Sequence, residues 1–315
     1  MKTNPKAALD LQRFRLEPII QEIGRVIFGK AEQIRLALTC LFAKGHLLIE
    51  DIPGIGKTTL AKVLSKSLGL DFHRIQCTSD MLPGDILGVS VFERKTSAFI
   101  FHPGPIFTQV LLADEINRAT PKTQSALLEA MEERQVTVEG ETRKLARPFF
   151  VIATQNPIEQ SGTYPLPESQ LDRFLMRIRI GYPHREAEKR LLQTGGTRGI
   201  LESIPAGLSS EEVILLQHQV EAVYVSEALL AYVQDLLEFT RNSQHFHLGL
   251  SPRAGMNLLA ATRAWAYLNG RDFALPEDVQ TVMPWVVGHR LHSREERREF
   301  PPDDLDKLLR QVAVP

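Results

Sequence analysis

The sequence predicts a three-layer α/β domain with a mostly parallel sheet and two β-hairpin inserts, followed by a small all-helical domain. Three observations predict it. Apolar runs at Leu47–Ile49, Val110–Ala113 and Phe149–Thr154 alternate with segments of helical period up to about residue 183. Continuous runs of this kind suit parallel strands covered on both faces. Twice, a pair of short strand-like segments around a polar turn interrupts that alternation. From Glu211 to Val287 only helical periods remain, as in Ala228-Leu229, Tyr232-Val233 and Leu236-Leu237.

The elements follow in order. Residues 1–30 read as a helix over Asp10–Ile23 and a link through Gly24 and Gly29. Ala31–Phe42 places Ile34, Leu38, Leu41 and Phe42 at helical spacing. His46–Ile49 is a strand, and a helical pattern resumes at Leu60. Phe72–Cys77 is a second strand. Val89–Glu93 and Ala98–His102 alternate around Arg94-Lys95-Thr96-Ser97, a hairpin signal. Pro121 suits the first turn of a helix running to about Glu133. Gln135–Val138 and Thr142–Leu145 flank Glu139-Gly140, a second hairpin. Phe149–Thr154 and Phe174–Ile180 complete the strands. The texture changes at Tyr182-Pro183, which sets an α/β core at 31–183 and a helical domain at 184–315. Thr194–Gly199 reads as a flexible break, and the mixed-sign run Arg294–Glu299 as a solvated helix face. Pro301-Pro302 ends that helix, and a last helix follows.

Composition narrows the function classes. The 315 residues are 43% hydrophobic, enough for a core. The formal net charge of −1 gives no global positive field, which argues against a nucleic-acid partner. Only Cys40 and Cys77 are present, both in apolar surroundings, so two buried thiols and a reducing cytoplasm are expected. Met1–Asp10 is polar and gives no secretory signal, and no apolar run approaches the ~18 residues that cross a bilayer. No membrane insertion is expected. Of nine histidines, only His245 and His247 lie close together, without a further ligand at metal-site spacing.

Chemistry concentrates at Asp51-Ile52-Pro53-Gly54-Ile55-Gly56-Lys57-Thr58-Thr59, between the first strand and the next helix. Strand, glycine-rich turn, Lys-Thr and helix is the layout of a phosphate-binding loop, or P-loop. Gly54 and Gly56 let backbone N–H groups turn around an anion, and the helix aims its positive end at the same point. Lys57 supplies a mobile charge for outer phosphates, and Thr58 a hydroxyl for Mg2+. One position departs from GxxxxGK[ST]: Asp51 stands where the first glycine would be. A second element supports the first. Val110-Leu111-Leu112-Ala113-Asp114-Glu115 is an apolar strand ending in two carboxylates, at the strand ends where ligands bind. Asp114 would hold the Mg2+ shell and Glu115 would orient or deprotonate the attacking water.

Three more residues gain meaning from these. Asn156 follows a strand and is expected level with Asp114; as a bare residue it could also be a strand-end cap. Arg173 opens the last strand and also fits an ion pair with Asp172 or Glu168. Arg253 lies in the first turn of a helix begun by Ser251-Pro252, where a cation is disfavoured without a partner. With these, the chain resembles an AAA+ ATPase of the MoxR family over about residues 20–295. The resemblance rests on Ile52-Pro53-Gly54-Ile55-Gly56-Lys57-Thr58, Leu112-Ala113-Asp114-Glu115-Ile116-Asn117-Arg118-Ala119 and Gln124-Ser125-Ala126-Leu127-Leu128-Glu129-Ala130-Met131-Glu132-Glu133. It rests further on Gln155-Asn156-Pro157 and Leu166-Pro167-Glu168-Ser169-Gln170-Leu171-Asp172-Arg173-Phe174.

The resemblance implies ATP and Mg2+ as cofactors and a helical lid domain after the P-loop core. It implies that Asn156 is the sensor-1 residue that helps place the attacking water. Arg173 becomes an arginine finger reaching into a neighbouring subunit, and Arg253 the sensor-2 residue through which the lid feels the γ-phosphate. It also implies a hexameric ring, partner proteins carrying a von Willebrand factor A domain, and hairpin inserts that touch substrate. Phe99 and Phe101 could serve that contact or the hairpin's own core. The leading function is chaperone-like remodelling or activation of another protein. A nucleic-acid motor using Arg94-Lys95, Arg143-Lys144 and Arg147 is the alternative, and a nucleotide-dependent scaffold that barely hydrolyses ATP a third class. Retaining both Asp114 and Glu115 argues against the scaffold.

Overall fold

The structure, a computed structural model, describes residues 15–95, 97–157, 162–194, 198–295 and 300–314. Among them the strands are β1 (Leu47–Glu50), β2 (Phe72–Gln76), β3 (Gly88–Glu93), β4 (Ala98–Pro103), β5 (Val110–Asp114), β6 (Gln135–Val138), β7 (Glu141–Lys144), β8 (Phe150–Gln155) and β9 (Met176–Ile178). Five form one sheet in the order β2-β5-β8-β1-β9, parallel throughout. The remaining four form the two antiparallel hairpins, β3 with β4 and β6 with β7.

The sheet's period of two sorts side chains into two layers. Leu47, Ile49, Val110, Leu112, Phe150 and Ile152 face helices Leu16–Gly24, Ala31–Phe42 and Lys57–Ser67. Leu48, Leu111, Ala113, Val151 and Ala153 face helix Pro121–Glu133. Two of these helices have the limits that periodicity predicts, Ala31–Phe42 and Pro121–Glu133. The second is set by Thr120, whose hydroxyl accepts from the Thr123 N–H at 3.3 Å, with Pro121 next to it. Such a cap contributes about 1 kcal/mol.

Helices after residue 183 dock on the core without a gap in packing. One apolar cluster runs from Leu36 and Leu38 into Val213, Leu216, Leu258 and Ala261. Polar anchors add to it. Gln217 donates to the Leu41 carbonyl at 2.8 Å, and Arg290 to Asp172 Oδ1 at 2.6 Å and the Phe174 carbonyl at 2.7 Å.

Some segments differ from expectation. β9 is three residues rather than Phe174–Ile180. Its flanking backbone turns to side chains instead: Phe174 to His289 and Arg290, Ile180 and Gly181 to Asp51. The first described helix is Leu16–Gly24, which matches the C-terminal part of the predicted Asp10–Ile23 helix, and 10–14 lie outside the described residues. Arg294 and Glu295 form a turn, not a helix, and 296–299 lie outside the described residues. Helices Arg185–Thr194 and Arg198–Ser203 approach the predicted break from both sides, and 195–197 are outside the description. Among the described residues, no helix is long and apolar enough to cross a membrane.

Candidate nucleotide site

β1 lies between β8 and β9, where the strand order reverses, so its C-terminal end opens into the crevice that binds ligands in such sheets. The loop after β1 fills that place. Gly54 and Gly56 have φ of +82° and +95°, and Gly56 precedes helix Lys57–Ser67. A side chain would strain both backbones, while a Cβ at either would meet nothing within 4 Å. The loop is therefore curled for an anion and open above it. Lys57 is 9% exposed, with its ammonium donating to the Asp51 carbonyl and, at 3.1 Å, to the Ile52 carbonyl.

Asp51 does not face the cradle. Its Oδ2 accepts from the Ile180 N–H at 2.8 Å and the Gly181 N–H at 2.7 Å, and its Oδ1 from the Ile52 N–H at 2.9 Å. The residue that departs from the glycine pattern ties the loop to the end of β9. Its carboxylate is engaged by three backbone donors.

Asp114 ends β5 and is 8% exposed. Its Oδ1 accepts from Thr154 Oγ1 at 2.6 Å, and its Oδ2 faces Thr58 Oγ1 at 3.4 Å. A hydroxyl and a carboxylate converging this way are the hard oxygen donors Mg2+ prefers, so Thr58 and Asp114 fit that ion. When bound, it would supply positive charge beside the outer phosphates. Arg74 on β2 also reaches Asp114 Oδ2, from Nε at 3.0 Å and Nη2 at 2.7 Å.

Glu115 takes a left-handed backbone, φ 56° and ψ 51°, which costs about 1–2 kcal/mol for a residue with a Cβ. Its N–H donates to Thr154 Oγ1 at 2.8 Å and its Oε2 accepts from Gln76 Nε2 at 2.8 Å. The carboxylate also pairs with Arg118 Nη1 at 3.5 Å. Asn156 is 5% exposed just beyond β8. Ala113 pairs with Ala153, so Thr154, and not Asn156, is level with Asp114. Asn156 lies two residues farther out, nearer the phosphate position. Beneath this site, burial and then the charges of Asp114 and Glu115 push the Cys77 thiol far up. It and Cys40 are both free and buried, as expected.

Beside the loop is a cavity of about 470 Å³. Val26, Ile27 and Phe28 form one wall; Tyr182, Leu191 and Leu192 form another, and Gly54 to Gly56 border it. An apolar slot adjoining a phosphate cradle suits a nucleobase. A larger cleft of about 630 Å³ between β9 and helix Pro276–Val287 has no phosphate loop beside it. The base slot, Arg74, Gln76 and Thr154 all escape sequence reading. The slot joins three segments far apart in the chain, and the only hint was the change in texture at Tyr182-Pro183.

The arginines are elsewhere. Met176 pairs with Leu47, so Arg173 precedes the N-terminal edge of the sheet, opposite the phosphate loop. Ser251 caps helix Pro252–Leu268 by accepting from the Ala254 N–H at 3.1 Å, and this sets Arg253 on the same edge. Arg253 Nη1 is 2.9 Å from Glu132 Oε1, and Arg173 Nε is 3.3 Å from Glu132 Oε2. Arg253 Nε is also 3.8 Å from Asp172. Glu132 thus supplies the partner that Arg253 needs at a helix start, and it takes the pairing expected between Arg173 and Asp172 or Glu168. The docked helical domain places Arg253 across the sheet from the loop of its own chain.

The hairpins carry the remaining aromatics. Phe99, 70% exposed, packs edge-on against Phe92 at 5.3 Å between ring centres. Phe101 turns inward onto Phe107 at 5.8 Å, and the Arg143 guanidinium covers it at 3.9 Å. Phe101 is half-buried within the hairpin and Phe99 is exposed. Among the described residues, no group of three or more His, Cys, Asp or Glu could hold a metal.

Comparisons with known proteins agree with this geometry. The model of the ATPase family associated with various cellular activities matches residues 46–176, and the AAA lid domain model matches 238–308. YeaC of Bacillus subtilis (strain 168) is 45% identical over 93% of this chain and 91% of its own. Chaperone MoxR1 of Mycobacterium tuberculosis is 39% identical over 95% and 82%, and Protein MoxR of Paracoccus denitrificans 32% identical over 93% and 94%. A 34% identical protein from Cytophaga hutchinsonii, known from a crystal structure, superposes with a TM-score of 0.89 over 98% of both chains. With a phosphate loop, two strand-end acids and a docked helical domain in these positions, the chain belongs to the MoxR family of AAA+ ATPases.

Proposed function

We propose that Mg2+-dependent ATP hydrolysis by this chain drives chaperone-like remodelling, assembly or activation of a partner protein, from within a hexameric ring in the cytoplasm. One observation carries the reading. The phosphate loop stands at one edge of the sheet, while Arg173 and Arg253, the positive charges suited to a γ-phosphate, stand at the other. A site so divided is completed only by a second copy. In this reading Lys57 and Thr58 hold ATP and Mg2+ with Asp114, and Asn156 and Glu115 order the attacking water. The neighbour's Arg173 and Arg253 neutralise charge as the phosphoryl group leaves. A relative named a chaperone supports the protein client. A protein with a von Willebrand factor A domain is the client class that the family resemblance implies. The nucleic-acid alternative loses Arg143, which is engaged by Phe101 and Glu141.

Mixing two inactive variants tests this. Lys57→Ala lacks nucleotide binding but keeps both arginines; Arg173→Ala has the reverse defect. Hydrolysis should reappear on mixing, in proportion to mixed assemblies. If each variant is dead alone and the mixture stays dead while mixed oligomers form, the shared site is wrong.

A further inference from the structure

We propose that Arg74 is a positioning residue that holds the metal-binding oxygen of Asp114 and yields it when the divalent cation arrives. The proposal rests on the reading of Thr58 and Asp114 as metal ligands. Arg74 and Gln76 are two apart on β2, so they share a face of the strand. Gln76 is level with Asp114 and Arg74 with Leu112, so the arginine leans along the strand to reach the acid. It donates twice to one oxygen, Oδ2, the oxygen that Thr58 faces. The other oxygen is taken by Thr154. A cation lodged between Thr58 and Asp114 therefore draws on an oxygen already holding a guanidinium.

A guanidinium stays charged at any relevant pH and repels a divalent cation on the same oxygen. One of the two must leave. Exposure decides which group moves. The Arg74 side chain is 43% exposed and that of Asp114 is 11% exposed. Arginine can swing into water, whereas the aspartate is fixed by Thr154. The same arginine also donates to Gln76 Oε1 at 2.6 Å, and Gln76 in turn donates to Glu115. Departure of Arg74 thus loosens the amide that holds Glu115. Glu115 keeps its pair with Arg118 at 3.5 Å, so metal arrival loosens one of its two side-chain holds.

The test reads metal occupancy directly. Mn2+ is titrated into the full-length protein with saturating ADP, and free Mn2+ is followed by electron paramagnetic resonance. Arg74→Gln should lower the half-saturating Mn2+ concentration roughly tenfold. Arg74→Lys keeps the charge but loses the two-pronged hold, and should lower it about threefold. ADP affinity in EDTA reports whether each variant keeps its fold and should match wild type. An unchanged or raised Mn2+ requirement in either folded variant overturns the proposal, because an arginine that merely supports Asp114 would be missed by the metal. Thr58→Ala tests the underlying reading. If it binds Mn2+ as tightly as wild type, the metal assignment fails, whatever Arg74 does.

Discussion

Two edges of one sheet each carry arginines and carboxylates, and they are built to opposite ends. At the C-terminal edge, Arg74 holds Asp114, while Gln76 and Arg118 hold Glu115, beside a loop whose backbone is curled for an anion. Each acid there has one guanidinium, both of them partly exposed, and Lys57 stands in the loop beside them. At the N-terminal edge, Arg173, Arg253 and Arg290 share Glu132 and Asp172. Cations exceed acids, and two of the three guanidinium groups are partly exposed, at 29% and 41%, while Arg290 is sealed at 6%. One edge is arranged to receive phosphate and the other to present charge to it. In the proposed ring the two would meet.

The sharpest way to break this comparison is Arg173→Ala. It should cut turnover per assembled site by about 10³–10⁵ while ATP affinity stays near wild type, as for a finger supplied in trans. Glu115→Gln, on the receiving edge, should cost roughly 10²–10⁴ in turnover and also spare binding. Steady-state hydrolysis beside equilibrium nucleotide binding separates the two effects. A loss of ATP affinity in Arg173→Ala would mean that it acts within its own chain, and the edges would not be complementary.

Stability should divide the presenting edge itself. Asp172→Ala strands the sealed guanidinium of Arg290, and should cost about 3 kcal/mol by denaturant titration. Acid should strike the same edge. His46 is buried, donates to the Met131 carbonyl at 3.2 Å and accepts from the Val151 N–H at 3.0 Å. Burial lowers its pKa to about 4. His289, against the Phe174 carbonyl, is also held well below its usual value by burial and then by Arg290. The unfolded chain binds these protons near pH 6.5, and the folded chain does not. Stability present above pH 6.5 is therefore lost as pH falls toward 4, on the order of 3 kcal/mol for His46. His46→Gln should flatten melting temperature against pH in that window. An equal slope in the variant would show that the titration lies elsewhere.

Local rules made much of this molecule readable. Ala31–Phe42 and Pro121–Glu133 announce themselves by period and cap, and Gly54, Gly56 and Lys57 by the turn an anion demands. Asp114 and Glu115 are legible because an apolar strand must stop at its ligand. What escaped depends on packing. Asp51 gave no sign of Ile180 and Gly181, because those N–H groups follow a strand more than a hundred residues on. Arg74 looked like one more polar residue of an edge strand. The side of the sheet that Arg253 occupies follows from how helix Pro252–Leu268 packs on Ala31–Phe42, which no periodicity encodes.

The smallest predicted effect bears most closely on how the two fingers are coordinated. Glu132 ends the helix that starts beside the Asp114-Glu115 turn, and its two oxygens take Arg173 and Arg253 separately. All three side chains are partly exposed, so solvent screens the pairs and Glu132→Gln should cost less than about 1 kcal/mol. An isosteric amide keeps an acceptor for one guanidinium and removes the charge that gathers two. If that charge is what makes a core arginine and a lid arginine act as a unit, the losses from Arg173→Ala and Arg253→Ala should be strongly non-additive in wild type. In the Glu132→Gln background they should become nearly additive. A double-mutant cycle on turnover measures this directly. Additivity in both backgrounds would leave Glu132 as a local ion-pair partner and make the two arginines independent.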